Sequence, residues 1–538
     1  MVAGGQTVAQ TPKSVVQACI TAGKVDGPSQ PNQRTEQHVA DLPSSSADPV
    51  EAMAQIGVPG LDDVLGGGLT VNRLYLLEGA PGAGKTTIAM QFLLEGARHG
   101  ESVLYVTLSE TANELAGVAR SHGWDLQGVH VREMLPNNDA LEPEEQYTMF
   151  HPSEVELSET TLKILADVEL LRPQRVVFDS LSELRLLAGN SLRYRRQILA
   201  LKQFFAGRNC TVLLLDDMTA MEHDLQVQSI SHAVIRLDQH NSDFGSTRRR
   251  LLVTKYRGRQ FRTGYHDYTI GRGGLRVYPR LVAAEHHKPL EQVRMPSGLP
   301  ALDALLGGGI ERGTSTLFVG APGTGKSTLG VQFALAAARR GECSALFIFD
   351  ESVNTLRTRS AGMGMELGPF IDQGLIRVRQ VDPAELSPGE FVHLVREAVT
   401  EHQAKVLLID SLNGYLNAMP DEHFLIVQLH ELLTYLGQHG VATLMVGAHH
   451  GLIGGNMTAA VDASYLADAV VLLRYFELAG EVRQAISVVK KRGGHHERTI
   501  RDFSLTETGI HIGEPLRNFR GILTGVPLPV DAPASNPS

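Results

Sequence analysis

The chain has 538 residues, enough for two or more domains with full cores, and 43% hydrophobic with 20% charged residues is the composition of an ordinary water-soluble globular protein. A net charge of −10 argues against a broadly basic nucleic-acid-binding surface and leaves room only for a local basic channel. Cys19, Cys210 and Cys343 are isolated, no apolar run is long enough to span a bilayer, and no basic segment followed by an apolar one opens the chain, so the expected location is a reducing cytoplasm with no membrane role.

Residues 1–50 are rich in Gln, Ser, Thr, Pro and Ala without a sustained period, and are expected to be a disordered extension. Order is expected to begin at Gly57-Val58-Pro59-Gly60-Leu61-Asp62-Asp63-Val64-Leu65-Gly66-Gly67-Gly68-Leu69, a short Leu/Asp-rich element ending on three glycines. It recurs 241 positions later as Gly298-Leu299-Pro300-Ala301-Leu302-Asp303-Ala304-Leu305-Leu306-Gly307-Gly308-Gly309-Ile310. Next comes an apolar strand, Leu74–Leu77, and then Gly79-Ala80-Pro81-Gly82-Ala83-Gly84-Lys85-Thr86 with Thr87 opening a helix. Its partner, Gly320-Ala321-Pro322-Gly323-Thr324-Gly325-Lys326-Ser327 with Thr328, is again 241 positions on and again lies between a strand and a helix. Both match the P-loop pattern: glycines free the backbone to curl around phosphates, the lysine neutralises their charge, and the Thr or Ser hydroxyl takes a place on Mg²⁺. Two sites for ATP with Mg²⁺ follow, and the common offset means a duplicated domain.

Each P-loop helix is followed by a strand ending in acid, Val103–Glu110 and Ala345–Glu351. Glu110 and the pair Asp350-Glu351 sit where an open α/β sheet binds its ligand, which suits a general base or a water-orienting group better than a helix cap. Val176-Val177-Phe178-Asp179 and Leu407-Leu408-Ile409-Asp410 are Walker B patterns, so Thr86 with Asp179 and Ser327 with Asp410 are the expected Mg²⁺ residues. Late in each half comes a basic turn, with Lys255 and Arg257 in one and Lys490 and Arg492 in the other. Cations two apart on an extended segment share a side. Each turn is either a solvated hairpin or a pair reaching phosphates of a neighbouring subunit, and recurrence favours the second reading. The pairs His286-His287, His449-His450 and His495-His496 lack metal-ligand spacing and read as loop histidines.

Taken together these motifs resemble the KaiC family. The likeness is most specific in Ala469–Glu477, Lys490-Lys491-Arg492-Gly493, Ile500-Arg501-Asp502-Phe503 and Arg517–Pro527. The resemblance implies an α/β fold of two tandem RecA-like P-loop NTPase domains, each a mostly parallel sheet flanked by helices. It places them at 51–285 and 286–514, with a regulatory loop and tail at 515–538. It further implies a homo-oligomer, a two-tier hexamer holding ATP between subunits. The first tier is mainly an ATPase, and the second phosphorylates a hydroxyl residue of its neighbour. KaiB-like proteins and histidine-kinase or response-regulator systems are the partner types it suggests.

Three departures qualify that picture. Ser109 stands where the family has the first of two acids, which puts rapid hydrolysis in the first domain in question. At the family's adjacent Ser and Thr phosphoacceptors this chain has Ser464 and Tyr465, leaving Ser464 as the expected acceptor. Only eleven residues follow Pro527, which argues against a KaiA-type activator. The reading that results is an ATPase and serine autokinase. An ATP-switched scaffold without kinase activity is the alternative, and a DNA-dependent motor is disfavoured by the acidic balance.

Overall fold

Runs such as Val103–Thr107, Val176–Phe178 and Val406–Ile409 are buried along their whole length, and a strand apolar on both faces needs a layer over each. The computed structural model describes residues 51–134, 152–218, 226–241, 245–286, 293–417, 425–448, 464–524 and 528–529. The 1–50 extension, His287, His449-His450 and Gly525–Pro527 lie outside them.

The first lobe contains β1 (Leu74–Gly79), β2 (Val103–Thr107), β3 (Val129–Glu133), β4 (Arg175–Asp179), β5 (Thr211–Asp216), β6 (Ala233–His240), β7 (Arg248–Tyr256), β8 (Tyr265–Gly271) and β9 (Gly274–Tyr278). Their order in the sheet is β3-β2-β4-β5-β1-β6-β7-β8-β9. The first six run parallel and the last three are added antiparallel.

The second lobe contains β10 (Ser315–Gly320), β11 (Ser344–Ile348), β12 (Ile376–Gln380), β13 (Val406–Asp410), β14 (Ala442–Ala448), β15 (Ala469–Leu478), β16 (Glu481–Lys491), β17 (Arg501–Thr506) and β18 (Gly509–Pro515). Its order, β12-β11-β13-β14-β10-β15-β16-β17-β18, repeats the first lobe strand for strand. Both lobes therefore have the mostly parallel α/β sheet expected of RecA-like domains.

Alternation along the central strand feeds two cores. Tyr75 and Leu77 of β1 pack with Ile88 and Phe92 of α1 (Lys85–Arg98), while Leu74 and Leu76 face Ile198, Leu201 and Phe205 on the opposite layer. In lobe two, Phe318 of β10 packs with Leu329 and Phe333, while Leu317 and Val319 join the other core with Phe391 and Leu429. Helix starts are set locally. Thr111 and Glu114 form a capping box on α2 (Ala112–His122), and Gly123 closes that helix in the left-handed conformation. In lobe two, α3 (Lys326–Arg339) follows the P-loop, and Ser352 caps α4 (Val353–Ala361) by accepting from the Thr355 amide.

The lobes meet along the antiparallel edge of the first. Asp267 on β8 accepts from the Gly389 amide (2.6 Å), in the first turn of α5 (Pro388–Thr400). Arg248 donates to the Pro383 and Ala384 carbonyls at 3.0 and 3.2 Å, and the Tyr278 ring lies 5.4 Å from that of His393. The neighbour of Asp267 on β8, Tyr268, turns the other way and donates its hydroxyl to the Ala83 carbonyl in the P-loop (2.7 Å). At the C-terminal end, Phe519–Arg520 pairs with Leu528–Pro529, and Ile522 is buried against Phe476 and Ala485.

The glycine triplets enclose a turn that other side chains cannot make. Gly307 has φ 72°, and a Cβ there would lie 1.8 Å from the His495 carbonyl oxygen. Gly341 has φ 79° with nothing near its would-be Cβ. Gly307→Ala is therefore expected to cost more than about 2 kcal/mol, against about 1 kcal/mol for Gly341→Ala, where only backbone strain acts. Chemical denaturation of the two variants beside the parent checks the difference.

Candidate nucleotide-binding sites

Each P-loop leaves the C-terminal end of its central strand, from Gly79 and from Gly320. Gly82 and Gly84, and likewise Gly323 and Gly325, take positive φ, and the second of each pair caps the following helix. Lys85 and Lys326 are only 6% and 7% exposed. Lys85 donates to the Gly79 and Ala80 carbonyls at 2.8 and 3.1 Å, and Lys326 to the Ala321 carbonyl at 2.7 Å. Burial pulls Lys326 down to about 8, with only the Asp410 charge working the other way. A desolvated ammonium above a glycine-rich turn is suited to phosphate.

The Walker B acids close on the P-loop hydroxyls. Thr86 donates to Asp179 (3.2 Å), which also accepts from the Tyr105 hydroxyl. Burial raises Asp179, against the hydrogen bonds from Tyr105 and Thr86. In lobe two, burial drives Asp410 up to about 6; a Ser327 hydrogen bond opposes this, and the Glu351 and Asp350 charges add to it. Both acids precede a cis peptide to serine, Asp179–Ser180 and Asp410–Ser411. A buried carboxylate beside a hydroxyl offers two oxygen ligands of the kind a hard divalent cation such as Mg²⁺ takes.

The acids after β2 and β11 differ between lobes. Glu110 is raised by burial and by the nearby negative charges of Asp179, Glu114 and Asp217, and its buried Oε2 has no hydrogen-bond partner among the described residues. Glu351 is gripped by Arg359, whose Nη2 lies 2.7 Å from Oε1 and whose Nε lies 3.4 Å from Oε2. Arg359 also donates to Thr328 Oγ1 (3.0 Å). Asp350, Glu351 and Arg359 line a cavity of about 430 Å³ with Lys326, Ser327, Thr328, Met363 and Asp410. In lobe one, Thr87 Oγ1 lies 3.5 Å from His122, whose other ring nitrogen is 2.9 Å from the Gly271 carbonyl.

The remaining expected site residues lie at the other end of the sheet. Val470 pairs with Lys490 and Thr316 with Ala469, so Ser464, Lys490 and Arg492 cluster near the start of β10, whereas the P-loop leaves its end. Lys490 donates to the Ser464 and Ala467 carbonyls at 2.8 and 2.7 Å, and Arg492 to the Tyr465 carbonyl (2.7 Å). Lys255 is opposite Val234, also at the far end from Lys85. It donates to the Gln228 and Ser231 carbonyls (both 2.7 Å), and Arg257 to the Ser229 carbonyl (2.6 Å). Among the described residues, His495 and His496 join no cluster of possible metal ligands.

Three residues that the motifs did not flag belong to these sites: Arg359, Tyr105 and Asp217. Asp217 Oδ1 lies 2.8 Å from Lys85 Nζ, and its Oδ2 accepts from Ser182 (2.8 Å) and Ser180 (3.3 Å). Burial pulls Asp217 up, but the bonds and charge from Lys85 with the serine hydroxyls outweigh it and hold the carboxyl below its usual range. An offset of 241 puts Val118 and Leu346 opposite Arg359 and Tyr105, and the offset of 231 that the Walker B acids share puts Ala448 opposite Asp217, so a position-by-position comparison was the available signal.

Two parallel-sheet lobes, each with a P-loop, a Walker B acid and a further carboxylate over one edge, define a tandem P-loop ATPase of the RecA-like class. A family model described as "ATPase: KaiC" matches residues 54–282 and 295–517, and the chain belongs to that family. "Circadian clock protein KaiC3" of Synechocystis sp. is 27% identical over 478 residues, covering 88% of this chain and 94% of that protein. "Circadian clock oscillator protein KaiC" of Parathermosynechococcus lividus is 27% identical over 509 residues, 93% of this chain and 92% of its own. Its namesake from Synechococcus elongatus is 28% identical over 477 residues, 87% and 91%.

The raised Asp410 has a consequence for stability. Between pH 3.8 and about 6 the folded chain holds a proton that the unfolded chain has released, so stability falls as pH rises through that window and stays lower above it. Asp410→Asn removes this penalty. In metal- and nucleotide-free protein it is expected to gain on the order of 1–3 kcal/mol at pH 7 and nothing below pH 4, as read by denaturation at a series of pH values.

Proposed function

We propose that the chain is an ATP-hydrolysing ring, a hexamer of this one chain, whose second lobe transfers phosphate to Ser464 of an adjacent copy. The observation that carries this reading is the separation of the two ends of β10. A six-residue strand spans about 20 Å at ~3.3 Å per residue. Ser464, Lys490 and Arg492 at one end are thus out of reach of the chain's own P-loop at the other, and a second copy has to bring them together.

The residues then divide the work. Lys326 and the P-loop amides hold the phosphates of ATP, and Ser327 with Asp410 holds Mg²⁺. Bound Mg-ATP supplies the transferable phosphoryl group. Lys490 and Arg492 reach across to balance charge on the neighbour's phosphates. Ser464 Oγ forms the new bond to phosphorus as the bond to ADP breaks, and its proton passes to Glu351, with Asp350 as the second acid of the wall. Arg359 has to loosen its hold for Glu351 to accept that proton. In lobe one, Lys85, Thr86 and Asp179 hold Mg-ATP, Glu110 orients water, and Lys255 and Arg257 act on the neighbour.

The grip of Arg359 on Glu351 favours one other reading, an ATP-switched signalling scaffold that has kept the ring and lost the transfer. Under either reading the names of the relatives point to clock-type or other periodic regulation, with KaiB-like or two-component proteins as partners.

Phosphopeptide mass spectrometry after incubation with Mg-ATP is expected to find phosphate on Ser464, absent in Lys326→Ala and strongly reduced in Glu351→Gln. Mixing Lys326→Ala chains with Ser464→Ala chains should place phosphate on the Lys326→Ala chains, which retain the acceptor. A clean spectrum with continued ATP hydrolysis would select the scaffold.

A further inference from the structure

The two P-loop lysines are in different electrostatic states, and the difference comes from one position. The ends of β5 and β14 are equivalent, because Glu78 pairs with Asp216 in one sheet and Val319 with Gly447 in the other. The next residue is Asp217 in lobe one and Ala448 in lobe two. Asp217 lies against Lys85 at 2.8 Å and is held in place by two serine hydroxyls from the turn after β4. Ser180 and Ser182 are themselves linked at 2.8 Å, so the carboxylate rests on a fixed polar platform. Lys326 has the Ala321 carbonyl, and the cavity around it is lined at this position by the methyl group of Ala448.

A P-loop lysine serves the β- and γ-phosphates. Lys326 is a desolvated cation in no ion pair among the described residues, and it gains a close anionic partner when phosphate arrives. Lys85 already has one. A triphosphate entering lobe one has to separate Lys85 from Asp217 and leave that carboxylate beside its own negative oxygens, a like-charge contact in a half-buried site.

We infer that Asp217 is a tethered competitor of the nucleotide phosphates for Lys85, making lobe one the weaker triphosphate site and lobe two the stronger. The inference rests on the reading of both P-loops as ATP sites. It assigns to one side chain a difference in affinity that the two P-loop sequences do not contain, because both satisfy the same pattern.

The test is calorimetric titration of the full-length protein with Mg²⁺ and the imido analogue of ATP, which is hydrolysed slowly. On a Lys326→Ala background, where lobe one alone is read, Asp217→Asn keeps the size of the side chain and its acceptor for the serines but removes the charge. It is expected to tighten analogue binding about ten-fold. The reciprocal change in otherwise native protein, Ala448→Asp, puts a carboxylate beside Lys326 and is expected to weaken the lobe-two site by a similar factor.

Unchanged or weaker binding in Asp217→Asn overturns the inference. Such a loss, with turnover falling too, would make Asp217 a group that assists nucleotide or metal instead. Lys85→Ala and Lys326→Ala as single variants keep the two failures apart. If each removes one class of site, the ATP reading stands whatever Asp217 does. If neither alters binding, that reading falls first.

Discussion

The length and direction of one central strand in each lobe govern the rest of the molecule. A parallel sheet sends its phosphate-binding turn out of one edge, and the chain can return antiparallel only by finishing at the other. β1 and β10 put Lys85 and Lys326 at the exit edge. The returning strands β7 and β16 carry Lys255 and Lys490 to the entry edge. Lys255 and Lys490 therefore lie away from the P-loop of their own chain and donate to backbone carbonyls there. In the proposed assembly, one repeated head-to-tail contact would bring the cations of each copy to the nucleotide site of the next, which is the geometry of a ring.

Within that shared frame the lobes have diverged by charge, not by shape. Strand order is the same in both, yet the carboxylates around each lysine are arranged differently. Lobe one has Ser109 where lobe two has Asp350, leaves Glu110 Oε2 without a hydrogen-bond partner among the described residues, and brings in Asp217 from the end of the adjacent strand. Lobe two keeps Asp350 and Glu351 and constrains the latter with Arg359. One site has an anion on its lysine and a half-buried acid beside it; the other has a carbonyl on its lysine and a guanidinium on its acid. These are opposite solutions to holding several like charges in a small, half-buried volume.

Much of this was legible in the sequence because the signals were both local and repeated. A P-loop is a contiguous pattern, a Walker B strand is a contiguous apolar run ending in Asp, and an offset of 241 positions shared by the glycine triplets, the P-loops and the acids after β2 and β11 ties the copies together. The antiparallel extension was marked only by its basic turns, since β8 mixes polar and apolar residues and β9 is a buried run of only five, so neither carries much periodicity. Arg359 and Asp217 were illegible for another reason. Arg359 meets Glu351 because two turns of helix bring position 359 over the end of β11, and Asp217 meets Lys85 because β5 is the spatial neighbour of β1 though 132 positions separate the two residues. Such pairings come from tertiary register, which no single-segment pattern encodes. The placement of Ser464 at the sheet's far edge was implicit in the strand after it, but only the pairing of Ala469 with Thr316 makes it a distance.

Strand β8 carries a last implication. Asp267 faces the first turn of a lobe-two helix while Tyr268, one residue along, bonds to the lobe-one P-loop. The duplicated sequence suggests modules that evolution or an engineer could separate and recombine, and the covalent link between them is short. The wall of the first nucleotide site is nevertheless also the seat of the second lobe. Cutting the chain between the repeats would remove the lobe-two contacts of Asp267 and Arg248 from the strands that include the brace on Ala83. The halves are copies by descent, but they are no longer spare parts for one another.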